Sequence, residues 1–186
     1  PEAGLFASMK PASIMELVGT ALRGLVAALS STMMVFIVMI FMYIGVNLKT
    51  FKDEPAAPHY SAGYGLFFGG AIEFWKLLIT ESRYSDMSLG DFLLITSFGL
   101  ATVLFLGGAG MWIAYAIRND NGIRIAARLA FLYLFLQYLY ASALEHVLYG
   151  LHDLLLIIAC LMAFFVVSGA LFHQGYLRLP KIKKTD

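Results

Sequence analysis

The chain has 186 residues, of which 60% are hydrophobic and only 13% charged, with a mean hydropathy of +0.79. A water-soluble domain carries about 25% charged residues, so the polar groups here are too few to cover an aqueous surface, and lipid must solvate most of the chain. The formal net charge of +1 gives no case for a nucleic-acid partner, and a single cysteine, Cys160, excludes intrachain disulfides and multi-thiolate zinc sites.

Residues 1–24 carry Glu2, Lys10, Pro11, Glu16 and Arg23 with no short apolar core before a small-residue cleavage site, so no signal peptide is expected. Instead, residues 1–25 are expected to form an amphipathic helix in the membrane interface. Pro11 suits a first turn, and Ile14, Leu17, Val18, Ala21, Leu22 and Leu25 follow helical spacing, with Glu16, Thr20 and Arg23 on the other side. A first transmembrane helix follows over 26–48, uncharged up to its end. Residues 62–80, "AGYGLFFGGAIEFWKLLIT", are shorter in apolar run and carry Glu73 and Lys76. An ionised pair at bilayer depth is costly, so this segment reads as an interfacial or half-buried helix, with a fifth span as the alternative.

Three more spans are expected over 92–117, 125–143 and 154–172, followed by a basic tail, 173–186, suited to anionic headgroups. The expected architecture is therefore all-α: one polytopic integral membrane helical bundle over 1–186, with four transmembrane helices or five. Cys160 falls within the last span, as a small core or lipid-facing residue.

Loop charge orients the chain. With four spans, Lys10, Arg23, Arg118, Arg124, Arg128, Arg178, Lys181, Lys183 and Lys184 fall on one side, and Lys49, Lys52, Lys76 and Arg83 on the other. The more basic side is the cytoplasmic or matrix side. With five spans the division is again nine to four, but the N-terminus moves outside. Charge thus assigns the C-terminus to the inner side in both cases and cannot count the helices.

Small residues mark packing surfaces. Gly65 and Gly69 form a GxxxG, and Gly110 with Ala114 forms a second small-xxx-small step; such spacing lets helix backbones approach closely in lipid. On the third span Tyr133, Gln137 and Tyr140 share one face, a polar stripe expected to turn inward as interhelical glue, with contact to a quinone headgroup as the alternative.

The densest group of titratable residues is "ALEHVLYGLHDLL", 143–155, holding Glu145, His146, His152 and Asp153. Tyr138, Ser142, His146 and Tyr149 line up along one helical stripe, Gly150 permits a break, and Asp153 suits an N-cap of the last span. An ordinary polar turn accounts for all four residues. A haem or quinone site is the alternative. "HVLYGLHD" resembles the His-x-x-x-Gly-x-x-His run of the cytochrome b membrane-anchor subunits of succinate dehydrogenases, with His146 and Gly150 in register and His152 one residue early. "TALRG", 20–24, is similar to that family's Ser-x-x-His-Arg entrance to its first span. The resemblance implies His146 as a haem ligand, with Tyr149 beside it, and Thr20 and Arg23 at a quinone site. Haem b takes two axial ligands, and His173, at the far end of the last span, lies roughly 30 Å from His146 at 1.5 Å per residue. The second ligand would therefore come from a partner chain.

A metal site from His59, His146, His152 and a carboxylate on one outer face is a further arrangement that the expected topology permits. Dinucleotide and phosphate-loop fingerprints are absent, and repeated halves of the kind transporters carry are not evident. Two functions follow: a small membrane subunit of a larger energy-transducing or secretory complex, contributing packing surface without catalysis of its own, or a haem b and quinone anchor of a respiratory complex. Lipids and other integral membrane subunits are the expected partners, in a bacterial or mitochondrial inner membrane.

Overall fold

The computed structural model describes residues 14–48, 54–83, 89–148 and 154–179. Five helices follow in order: α1 Ile14–Asn47, α2 Ala57–Arg83, α3 Leu89–Arg118, α4 Gly122–Leu148 and α5 Leu154–Leu177. No strand occurs among the described residues. Four of the helices are long and apolar enough to cross a membrane: α1 over Ala21–Asn47, α3 over Phe92–Arg118, α4 over Gly122–Ala143 and α5 over Leu155–Leu177.

Helix bounds run beyond the expected ones at several points, α2 over Ala57–Arg83 and α4 over Gly122–Leu148 among them. The helix expected as a separate interfacial segment runs straight into the first span, so α1 is one rod of 34 residues, about 51 Å long. No proline interrupts Ile14–Asn47, and the break expected near residue 25 has nothing to cause it. The last span also continues past residue 172 to Leu177. Between α3 and α4 the chain reverses in three residues. Asp120 takes a left-handed φ of 54°; Asn121 N–H donates to the Ala116 carbonyl at 2.8 Å and Asp120 N–H to the Ile117 carbonyl at 3.2 Å. That pair of bonds is the Schellman closure of a helix C-terminus. Asn121 then accepts from Ile125 N–H at 3.1 Å, opening α4.

Neighbouring pairs give the register. On α2 and α3, Ser61 meets Gly110, Gly65 meets Leu106, Gly69 meets Val103 and Glu73 meets Gly99, so one number rises as the other falls and the helices are antiparallel. On α1 and α4, Gly24 meets Ser142 and Tyr43 meets Gly122, again antiparallel. Rings pair α3 with α4 in the same sense, Phe98 on Tyr140 at 4.3 Å and Phe105 on Tyr133 at 5.1 Å. Against α5, Gly107 meets Phe172 and Met111 meets Gly175, both numbers rising together, so α3 and α5 are parallel. The order is up-down-up-down-up: α1, α3 and α5 point one way, α2 and α4 the other.

α3 is the hub, with half of its span buried against at most 35% for the other three. Ala101, Phe105, Leu106, Ala109, Ile113 and Ala114 are fully buried on it. Phe98, Phe105, Tyr133 and Phe164 pack ring against ring between α3, α4 and α5, in tilted and edge-on geometries that favour aromatic pairs. On the outer surface, Ser30 bonds the Ala27 carbonyl at 2.9 Å and Thr96 the Phe92 carbonyl at 2.8 Å, so these exposed hydroxyls need no solvent partner.

Candidate functional site

Three places in the bundle carry chemistry: the α2–α3 seam, the α1–α4 seam and the polar groups inside. The α2–α3 seam is the tightest. A Cβ on Gly65 would meet the Leu106 carbonyl, 2.7 Å from its carbon, and a Cβ on Gly110 would sit 2.7 Å from the Ser61 carbonyl carbon. Here backbone touches backbone, which only glycine permits. Gly69 lies one turn further along with Val103 Cα at 3.2 Å, and Ala114 is fully buried. All four small residues singled out by spacing therefore lie within this chain's own interior.

The same seam seats a part-buried ion pair. Glu73 is buried on α2, and its side chain lies over Gly99 of α3, where a Cβ would fall 3.3 Å from Oε2. Lys76 donates to Glu73 Oε1 at 2.7 Å from one turn on. Gly99 is the space that admits the carboxylate, and no sequence spacing signals that pairing across helices. One turn along α3, Thr102 shares a buried 3.4 Å contact with the Tyr133 hydroxyl.

Tyr133 belongs to a polar layer near mid-bundle. Thr32, Thr102, Gln137 and Ser168 are all buried, and together they draw on α1, α3, α4 and α5. The expected inward stripe of α4 is there: Tyr133, Gln137 and Tyr140 are each at most 8% exposed. Thr32 Oγ1 and Ser168 Oγ have no hydrogen-bond partner, so the layer holds unused capacity as well as glue.

On the α1–α4 seam, Gly24 approaches the Ser142 backbone, with Cα 3.1 Å from where a Cβ would be. One turn from that contact the register sets Thr20 opposite His146, each on a helical backbone. Thr20 and His146, 126 positions apart, thus stand on backbone at the same end of the bundle. Arg23 is exposed beside them. A groove of about 290 Å³ runs along this seam, lined by Val18, Ala21, Leu22, Leu25 and Tyr138. Tyr149, Gly150, His152 and Asp153 lie outside the described residues, as does the 180–186 part of the basic tail.

The three-histidine outer face does not form. His59 stands in the first turn of α2, at the end of the bundle where Arg118 bonds the Glu54 carbonyl. His146 stands in the last turns of α4, at the opposite end. The expected shared face follows from taking α2 as an interfacial segment; α2 instead runs antiparallel along α3, which sets its first turn and the last turns of α4 at opposite ends. Among the described residues no group of three or more His, Cys, Asp or Glu could hold a metal ion. No protein-family model, curated protein or solved structure matches this chain.

Proposed function

We propose that this chain is a small integral membrane subunit of a larger complex, acting through helix packing. The observation that carries the reading is the α2–α3 seam. A helix too polar to rank among the four apolar spans is locked by glycine contacts against the most buried of them. The bundle spends its chemistry on holding itself together: an ion pair within α2, a polar layer inside and aromatic packing round α3. Its outer faces are broadly apolar, with Met15, Phe67, Phe131, Leu155 and Leu177 each at least 70% exposed. Such faces suit lipid and the helices of other subunits.

The helix directions support five spans. α1 and α3 are parallel, so a chain that crosses with both must return between them, and α2 is the returning element. α2 lies beside α3 from Ser61 to Glu73, and its 27 residues span about 40 Å. In this topology the N- and C-termini face opposite sides, with the C-terminus and the Asn119–Asn121 turn on the more basic inner side. The membrane is an energy-transducing or secretory one, and the chain has no catalysis of its own.

The test has two parts. In sealed vesicles, Asn119→Cys should be labelled by an impermeant thiol reagent from the same side as a C-terminal tag and the opposite side from an N-terminal tag. Mild solubilisation should yield the chain in a particle containing other membrane subunits; a monomer that is stable alone and binds none would refute the subunit reading.

A second reading has one observation in its favour, the register that sets the backbone of Thr20 and His146 at one end of the α1–α4 seam, beside an apolar groove. It makes the chain a quinone or haem b anchor of a succinate dehydrogenase-like complex, with His146 supplying one ligand and a partner chain the other. A reduced-minus-oxidised b-type spectrum that His146→Ala abolishes would establish it. Absence of haem and quinone from an intact complex would end it.

A further inference from the structure

The α1–α2 cleft is unlike the other grooves. It has a volume of about 190 Å³ and lies between the C-terminal half of α1 and the first turns of α2, lined by Phe41, Gly45, Val46, Ala57, Ser61 and Tyr64 among others. Two features define what it would take. Its wall is set back at Gly45, where an added Cβ would meet nothing within 4 Å. A cation stands near its end: Arg118 reaches across from α3 to the Glu54 carbonyl, three residues before Ala57, which occupies one of the five guanidinium donors.

We infer that this cleft holds part of one acyl chain of an anionic phospholipid, with the phosphate at Arg118. The inference rests on the five-span membrane reading, which puts this end on the basic inner side. An apolar lateral cleft in a bilayer fills with hydrocarbon in any case. Arg118 at its end decides the headgroup, since a basic group between helices on the inner side favours acidic lipid. A lipid seated there would bridge α1 and α2, which otherwise meet only over this short stretch.

The experiment reconstitutes the full chain into vesicles of phosphatidylcholine and phosphatidylglycerol, extracts it gently and weighs the retained lipid by native mass spectrometry. Wild type should keep phosphatidylglycerol in preference to phosphatidylcholine. Arg118→Gln should lower that preference about fivefold, the effect of one surface arginine on an acidic lipid. Gly45→Phe should fill the cleft and abolish retention while the helical circular dichroism stays unchanged. Should Gly45→Phe fail to fold, a photocrosslinking residue at position 45 takes its place; a lipid adduct supports the site and a protein adduct overturns it. Equal retention of the two lipids by wild type also overturns it. Release of the chain from vesicles by alkaline carbonate would instead sink the membrane reading on which the site depends, so the two failures are told apart.

Discussion

Gly65→Ala sets the packing argument against its simplest rival, that glycine in α2 is merely tolerated. Gly65 and Gly63 are two residues apart on one helix, so intrinsic helix propensity treats them alike. Alanine gains roughly 0.5–1 kcal/mol over glycine in a helix interior. Their surroundings differ completely. At Gly63 a Cβ meets nothing within 4 Å, whereas at Gly65 it runs into the Leu106 carbonyl and comes within 3.1 Å of Gly107 N. Because these obstacles are backbone, no rotamer change relieves the clash, and α2 and α3 must separate along the seam. Overpacking of this kind costs about 3 kcal/mol at the upper end of its range. Gly65→Ala should therefore destabilise the protein by about 2 kcal/mol net. Gly63→Ala should stabilise it by up to about 1 kcal/mol. The contrast of about 3 kcal/mol is more than a hundredfold in the unfolding equilibrium. Unfolding of the detergent-solubilised protein in graded dodecyl sulfate, followed by circular dichroism, would read both variants on one scale. Equal midpoints for the two would refute the backbone contact and with it the placement of α2 against α3.

Three other outcomes follow from the same geometry. Lys76→Ala should be more destabilising than Glu73→Ala, by about 1–2 kcal/mol. The reason is that Lys76 is 31% exposed in its side chain and can reach outward when unpaired, whereas Glu73 is only 10% exposed. Unfolding midpoints of the two single variants and the double variant would check this, and a more damaging Glu73→Ala would contradict it. Trp112 donates to the Leu171 carbonyl at 3.1 Å and carries Arg178 on its ring. Trp112→Phe should cost about 1–2 kcal/mol in thermal stability, from the lost hydrogen bond and a weaker cation–π contact; an unchanged melting temperature would remove the α3–α5 tie. Asp120→Gly should raise stability by up to about 1 kcal/mol, since glycine takes the left-handed conformation at φ 54° without strain. A fall in melting temperature would mean that the aspartate side chain matters more than its backbone.

Much of the candidate site was legible along the chain. The small-residue steps at Gly65, Gly69, Gly110 and Ala114 could be read because helix interfaces in lipid demand them at that spacing. The inward stripe of Tyr133, Gln137 and Tyr140 could be read because intramembrane polar groups avoid hydrocarbon. Gly99 was not legible. It stands alone in its span without a small-residue partner at the motif spacing, and its purpose appears only when Glu73 lies across it. Nor was Gly24, whose contact with Ser142 depends on a helix that begins about a hundred residues later. The end of the bundle at which His59 stands was not legible either, because it depends on α2 running antiparallel along α3.

Sequence alone determined the number of strongly apolar helices, because hydropathy is a sum over local residues and a window of about 20 suffices to compute it. It also determined that the C-terminal end is the more basic, since charge counting needs no partner. Tertiary structure decided what α2 is. Its own composition ranks it below the other helices, and only the glycine seam with α3 provides a dry, shape-matched seat for Glu73. Register, unlike hydropathy, belongs to pairs of residues far apart in the chain. For that reason the direction of α1 relative to α3, the placing of Thr20 and His146 at one end and the cleft beside Gly45 had to come from the folded bundle.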